Sequence, residues 1–332
     1  MKMKKFINNP ENLTAELLEG FALSNPDTVE LVDGLIVSKA LKDADRVTVV
    51  SMGGTGHEPA LSGFTGEGIL DITIPGDVFA APGPEKCLQA LKMADKGHGV
   101  LYIVLNHEGD MLTGNLTMKK VKQEGMNVIK VVTQEDIANA PREESYDRRG
   151  LIGALAVWKI AAAAAAQGKS LEEVAAIAQA VADDMATLAV AARGATHPAT
   201  GALLATLGED EIEIGMGQHG EGGGGRMPML SADEVAVKMA DALIADLGLK
   251  KGEKILVFIN GSGATTLMEM LIVYRKVFKH LQELGIEIVA NEVDELLTVQ
   301  EQAGFQMSFI RMQPEWVELW NAPCNAPYFK KF

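Results

Sequence analysis

The stretch Arg46-Val47-Thr48-Val49-Val50-Ser51-Met52-Gly53-Gly54-Thr55-Gly56-His57-Glu58-Pro59 decides the fold. Val47 to Val50 is a short β-branched run of the kind that forms a buried strand, and it leads into a turn carrying Gly53, Gly54 and Gly56. Such a turn, without Cβ atoms, brings backbone N–H groups close to a ligand. Ligands of open α/β sheets bind in the crevice beyond the carboxyl ends of the strands, so His57 stands where a reacting side chain would be placed. A plain link from strand to helix, with His57 held by nearby backbone, is the other reading of the same residues.

The neighbouring sequence repeats this order. Leu70 to Ile74 predicts a strand, Gly76 to Pro82 a second loop and Pro84 to Asp95 a helix. Gly99 to Leu105 is a nearly continuous apolar strand that ends in a third loop, Asn106-His107-Glu108-Gly109-Asp110, before a helix over Met111 to Gly125 and a strand over Asn127 to Val132. Upstream lie a capped helix, Leu13 to Leu23, and a short strand, Leu35 to Val37. This alternation is that of an α/β fold, a largely parallel sheet with helices on both faces.

The rhythm then changes. Two alanine-rich helices are predicted over Leu151 to Gln167 and Leu171 to Ala192, broken at Gly168. After them come a strand from Glu211 to Met216, a glycine cluster, a helix from Ala232 to Leu247, a strand from Ile255 to Ile259, a helix from Leu267 to Leu284, and strands Glu287 to Val293 and Met307 to Met312. Two domains are therefore expected: 1–185, carrying the Gly-His-Glu-Pro loop, and 186–332, a smaller α/β or α+β domain carrying His219. The tail, rich in Pro, Trp and Phe, is expected to pack back on the body.

Composition narrows the function. Across 332 residues the formal net charge is -15, which argues against a nucleic-acid partner, because phosphate neutralisation needs clustered Lys and Arg. A pI near 4.9 gives a polyanionic nucleotide no attraction to the surface as a whole. Cys87 and Cys324 have neither metal-ligand spacing nor a disulfide framework, which points to a reducing cytoplasm. The basic start turns polar before a signal-peptide core develops, and the apolar run Leu151 to Ala166 is too short for a membrane span and broken by Lys159.

Spacing excludes three familiar motifs. Gly54 and Gly56 are followed at the third required position by Pro59, so the dinucleotide fingerprint fails, and no phosphate-binding Gly-x4-Gly-Lys-Ser/Thr occurs. No nucleotide cofactor is expected on this chain. His57-Glu58 and His107-Glu108 each lack a second histidine three residues on, so metal catalysis by protein ligands is not expected either. His219 remains, in Ile214-Gly215-Met216-Gly217-Gln218-His219-Gly220-Glu221-Gly222, where flanking glycines leave an imidazole approachable by a small molecule. His57, Asp110 and His219 each fall at a strand end in a glycine-containing loop, a pattern that points to a reactive site.

These residues carry a resemblance. Gly53-Gly54-Thr55-Gly56-His57-Glu58-Pro59, Gly76-Asp77-Val78-Phe79, Gly109-Asp110, Arg148-Arg149-Gly150, His219-Gly220-Glu221 and Asn260-Gly261-Ser262-Gly263-Ala264-Thr265 resemble the substrate-binding subunits of dihydroxyacetone kinases, nearly end to end. The resemblance implies a cytoplasmic homodimer of two-domain subunits. In it His219 would hold a small ketone as a covalent hemiaminal, His57 and Asp110 would hydrogen-bond the hydroxyls and assist proton removal, and Gly54, Thr55, Gly56 and Leu105 would bind substrate. ATP or ADP with Mg would then sit on a separate nucleotide-binding kinase subunit (DhaL-like). The chain departs from the family pattern at Met52, at Ala80-Ala81 in place of Thr-Ser, at Leu105 in place of a lysine, at His107 in place of an aromatic, and at Gly222 in place of a proline. Two functions stand: a kinase subunit for dihydroxyacetone or a related keto-polyol, and a non-catalytic ketose sensor that coactivates a transcriptional regulator.

Overall fold

A computed structural model describes residues 4–332. Its contacts divide the chain into two compact units. The first takes the chain up to Thr133, Ala154–Ala180 and Glu318–Phe332; the second takes Gln134–Gly153 and Val181–Val317. A single boundary at 185/186 was the expectation from sequence; the units instead exchange the segments Gln134–Gly153 and Glu318–Phe332.

The first unit is built on a six-stranded sheet. Its strands are β1 (Val29–Val32), β2 (Leu35–Ser38), β3 (Thr48–Thr55), β4 (Ile72–Val78), β5 (Val100–Leu105) and β6 (Val128–Thr133), in the order β1-β2-β4-β3-β5-β6. β4, β3, β5 and β6 are parallel, and the antiparallel β1–β2 hairpin extends the β4 edge. All six residues of β5 are buried, which is why its sequence is an unbroken apolar run and not an alternation. The hairpin turns at Asp33-Gly34, both at positive φ, as a two-residue connection between twisted strands requires.

Four helices cover the sheet: α1 (Leu13–Ser24), α2 (Pro84–Ala94), α3 (Glu108–Gln123) and α4 (Ala154–Ala166). Twelve of the thirteen residues of α4 are buried, Lys159 among them, with its ammonium donating to the Leu319 carbonyl at 3.0 Å. The tail does pack back: Trp320 and Phe329 meet at 5.4 Å between ring centroids, Phe329 meets Phe64 at 6.3 Å, and Phe64 meets Trp158 of α4 at 5.7 Å. Truncating Trp158 to alanine at the fully buried heart of this cluster is expected to cost about 3–5 kcal/mol, read as a lowered urea midpoint with little change in slope.

The second unit has its own six-stranded sheet and follows α5 (Leu171–Asp183). Its strands are β7 (Met185–Arg193), β8 (Glu211–Ile214), β9 (Arg226–Pro228), β10 (Lys254–Gly261), β11 (Glu287–Asp294) and β12 (Ala303–Arg311), in the order β11-β10-β12-β7-β8-β9. Only β10 and β11 are parallel, joined through α7 (Leu267–Leu284); the other pairs are antiparallel. α6 (Ala232–Leu247) and α7 both begin with a capping box, Ser231/Glu234 and Thr266/Glu269, and both end on a left-handed glycine, Gly248 and Gly285. A last helix, α8 (Pro314–Asn321), leads into the tail.

One expected helix is corrected. The alanine-rich stretch Leu171 to Ala192 is helical only to Asp183, and Met185–Arg193 is the strand β7. Ala186, Leu188 and Val190 alternate into the core, and the strand pairs with β12 on one side and β8 on the other. Alanine's advantage in a helix is only a fraction of a kcal/mol per residue, about 0.7 at most over ordinary residues, and two hydrogen-bonded neighbours outweigh it.

Candidate functional site

β3 and β5 are paired from Thr48 with Val100 to Met52 with Val104, so their carboxyl ends lie side by side. The strand β3 runs through Gly53 and Gly54 to Thr55, further than its β-branched run suggested. His57 follows, 6% exposed, with its ring tilted on that of Phe79 at 5.0 Å between centroids. Gly56 sits at φ +99, where a Cβ would come within 2.8 Å of the Phe79 ring, and a Cβ on Gly54 would come within 2.7 Å of the Ala80 nitrogen. Both glycines are thus explained by the close approach of residues 79–80. The Gly56 N–H donates to Glu58 Oε1 at 2.9 Å, while burial raises the Glu58 pKa against that hydrogen bond. Thr55 is buried, its hydroxyl 3.4 Å from that of Thr14 on α1.

Asp110 is not in a loop. β5 ends at Leu105, the Asn106 N–H still bonds the Thr133 carbonyl, and α3 begins at Glu108, so Asp110 is the third residue of its first turn. Carboxylates are favoured there by the helix dipole. Asp110 is 9% exposed, however, its Oδ1 is buried with no hydrogen-bond partner, and burial pushes its pKa up to about 7. Next to it, a Cβ on Gly109 would lie 3.5 Å from that of Ala81, and the Thr113 hydroxyl donates to the Pro82 carbonyl at 3.0 Å. The segment 79–82 therefore touches both the His57 ring and the start of α3. His57, Asp110, Gly54, Thr55, Gly56 and the buried Leu105 all gather at the carboxyl ends of these two strands in the first unit.

His219 belongs to the second unit, in the loop between β8 and β9. Its backbone N–H donates to Glu221 Oε2 at 2.8 Å, and the Gly217 N–H donates to the Glu221 carbonyl at 2.7 Å. Burial lowers the imidazole pKa most, Glu221 pulls it back up, and the Arg149 guanidinium lowers it further. The balance favours a neutral ring at pH 7, the form with a nitrogen lone pair available for attack. Arg149 and Asp136, not singled out from sequence as functional, lie beneath this loop with Arg149 Nε donating to Asp136 Oδ2 at 2.8 Å. The only signal was the Arg148-Arg149-Gly150 string. Its first arginine has a different task, pairing Asp246 at 2.5 Å together with Arg142 at 2.6 Å.

The remaining singled-out groups have ordinary partners. His98 pairs Asp45 at 2.7 Å, His280 pairs Asp241 at 2.6 Å, and Arg226 lies 3.7 Å from both Glu211 and Glu213. Cys87 and Cys324 are both buried, and they are not joined in a disulfide. Among the described residues no helix is long and apolar enough to cross a membrane.

Comparison with known proteins bears out the resemblance read from sequence. The chain is 34% identical, over 98% of its length and 99% of the relative's, to the Listeria innocua PTS-dependent dihydroxyacetone kinase 1, dihydroxyacetone-binding subunit. It is 33% identical to the L-erythrulose kinase of Pectobacterium atrosepticum, covering 99% of this chain but only 56% of that longer protein. Among solved structures, a dihydroxyacetone kinase operon co-activator superposes with a TM-score of 0.89 at 28% identity, covering 95% of this chain and 98% of the other. The Dak1 domain model matches residues 19–328, and this chain belongs to that family.

Proposed function

We propose that this chain is the substrate-binding subunit of a dihydroxyacetone-type kinase, which holds dihydroxyacetone or a related keto-polyol as a hemiaminal on His219. The observation that carries this reading is the His219 loop: a histidine biased to its neutral form, flanked by glycines, in a chain that matches a dihydroxyacetone-binding subunit over nearly its whole length. A ring nitrogen adds to the ketone carbon, the carbonyl π pair moves to oxygen, and the proton lost from the other ring nitrogen balances the one that oxygen gains. Covalent capture selects ketones over alcohols such as glycerol, which hydrogen bonding alone separates poorly. Asp110 takes the proton of the hydroxyl to be phosphorylated, His57 orients that hydroxyl or shares the proton, and Gly54, Thr55, Gly56 and Leu105 contact substrate. A separate nucleotide-binding subunit carrying ATP or ADP with Mg hands over the phosphoryl group, drawn from ATP or from a phosphotransferase system, and the chain works as a cytoplasmic homodimer.

Likeness to the operon co-activator keeps a second reading open, a ketose sensor with no turnover. Asp110 favours the kinase, because a buried carboxyl with a pKa near 7 suits proton transfer more than ligand holding. The deciding experiment mixes the chain with a nucleotide-binding kinase subunit and Mg, with ATP as donor in one arm and a phosphoenolpyruvate-driven phosphotransferase system in the other, and follows ketose phosphate by ³¹P NMR for dihydroxyacetone and both erythruloses. Turnover of at least one ketose is expected, since Ala80, Ala81 and Leu105 alter the surroundings of the reacting groups. Capture of ketose with no turnover on any of them would overturn the kinase in favour of the sensor. Calorimetry on the chain alone is expected to show no ATP binding.

A further inference from the structure

The glycine-rich loop that carries His219 packs against one arginine. Arg149 is 7% exposed, and its backbone carbonyl accepts the N–H groups of both Glu135 and Asp136 at 3.0 Å each. Asp136 Oδ2 accepts from Nε at 2.8 Å and lies 2.7 Å from Nη2, while its Oδ1 takes the Ala138 N–H at 3.0 Å. The outer edge of the guanidinium then meets the loop. Nη2 donates to the Gly215 carbonyl at 2.8 Å, and Nη1 lies 3.3 Å from Glu221 Oε1 and 3.5 Å from the Glu221 carbonyl. A Cβ on Gly217 would fall 2.2 Å from Nη1, and one on Gly223 would fall 2.7 Å from Nη2. The guanidinium shares that space with Glu221 Oε1, also 2.2 Å from a Cβ on Gly217, and with the Gly215 carbonyl, 2.3 Å from a Cβ on Gly223.

We propose that Arg149 is a positioning residue for His219: its guanidinium ties Gly215 and Glu221 to Asp136, and Glu221 in turn holds the His219 backbone N–H. The proposal rests on the reading of His219 as the capturing group and adds to it the device that sets where the imidazole stands. Stability alone does not call for this arrangement, since a buried ion pair is often no better than apolar residues of the same volume. A planar fork reaching three partners at once is what arginine supplies and lysine, a single point charge on a flexible stem, does not. Neighbouring Glu135 is fully buried with its pKa pushed to about 8, chiefly by burial; burial raises Asp136 as well, and the Arg149 guanidinium pulls it back down.

The test compares Arg149→Lys, Arg149→Met, Glu221→Gln and the Arg149→Met/Glu221→Gln double variant. Capture is read from the ¹³C signal of [2-¹³C]dihydroxyacetone as ketone converts to hemiaminal, and loop order from hydrogen exchange of the amides of 215–221. Both Arg149 variants are expected to lose about 100-fold in capture, the size of effect that a misplacement near 1 Å produces, with exchange accelerated in the loop and not elsewhere. The double variant should capture no worse than Arg149→Met, because both residues act through one connection. Wild-type capture by Arg149→Lys, or additive losses in the double variant, would overturn the proposal. Should the unmodified chain capture no ketone, the function reading falls by itself, and the exchange data still decide the positioning: unchanged exchange at His219 in Arg149→Lys refutes it. If Arg149 variants do not fold, Glu221→Gln serves, and unaltered exchange of the His219 amide refutes it.

Discussion

His219→Ala is expected to abolish ketone capture while leaving the protein folded. In the unmodified chain the hemiaminal carbon should be visible by ¹³C NMR and, after rapid cold desalting, as a mass increment; in the variant both signals should vanish. Alanine offers no nitrogen nucleophile, so the loss should be complete and not graded. The fold should survive, because the hydrogen bond from the residue 219 backbone N–H to Glu221 Oε2 is one that alanine retains. Capture should also weaken as pH falls, since protonation removes the lone pair. Burial places that acid limb below the ordinary histidine range. A ketone that lies unbonded in a soaked crystal, with His219 turned away, would remove the nucleophile from the mechanism.

The parts of this fold that were legible are those written in local pattern. β5 announces itself by a run of six buried apolar residues, and α6 and α7 start and stop where the sequence places them, because Ser231/Glu234, Thr266/Glu269, Gly248 and Gly285 mark their ends chemically. β7 was misread because its helix-favouring alanines are overruled by pairing with β12, more than a hundred residues away in sequence. The β1–β2 hairpin went unseen although Asp33-Gly34 is a strong local turn signal. The candidate side chains were picked out because glycines stand beside them. What braces them was not: Arg149 meets Gly215 and Glu221 across more than sixty residues, and no spacing rule connects an arginine to a glycine cluster at that distance. Asp110 was found but placed in a loop. Its helical position matters, because a rigid first turn fixes a carboxyl more firmly than a loop does.

Asp110→Asn carries the second large expectation. If Asp110 takes the proton of the attacking hydroxyl, its loss should lower turnover by about 100-fold to 10,000-fold while ketone capture at His219 stays nearly unchanged. The pH dependence follows from burial, which raises this carboxyl to about 7. Only the ionised form is a base, so turnover of the unmodified chain should climb through pH 7 and level off above it, and the residual activity of the variant should lack that step. Stability moves the opposite way. A carboxyl whose folded pKa lies above its unfolded value destabilises the fold once ionised, so the fold loses stability as pH rises from about 4 through about 7. Asparagine cannot ionise. The variant should therefore match the unmodified protein near pH 4 and gain on it as pH rises, reaching its full advantage above pH 7. Denaturant unfolding at pH 5 and pH 8 reads that difference directly, and it needs neither substrate nor partner subunit. An Asp110→Asn protein that unfolds alike at both pH values relative to the parent would show that the carboxyl titrates normally, and the proposed base would then be ionised throughout the working range with no step in turnover near pH 7.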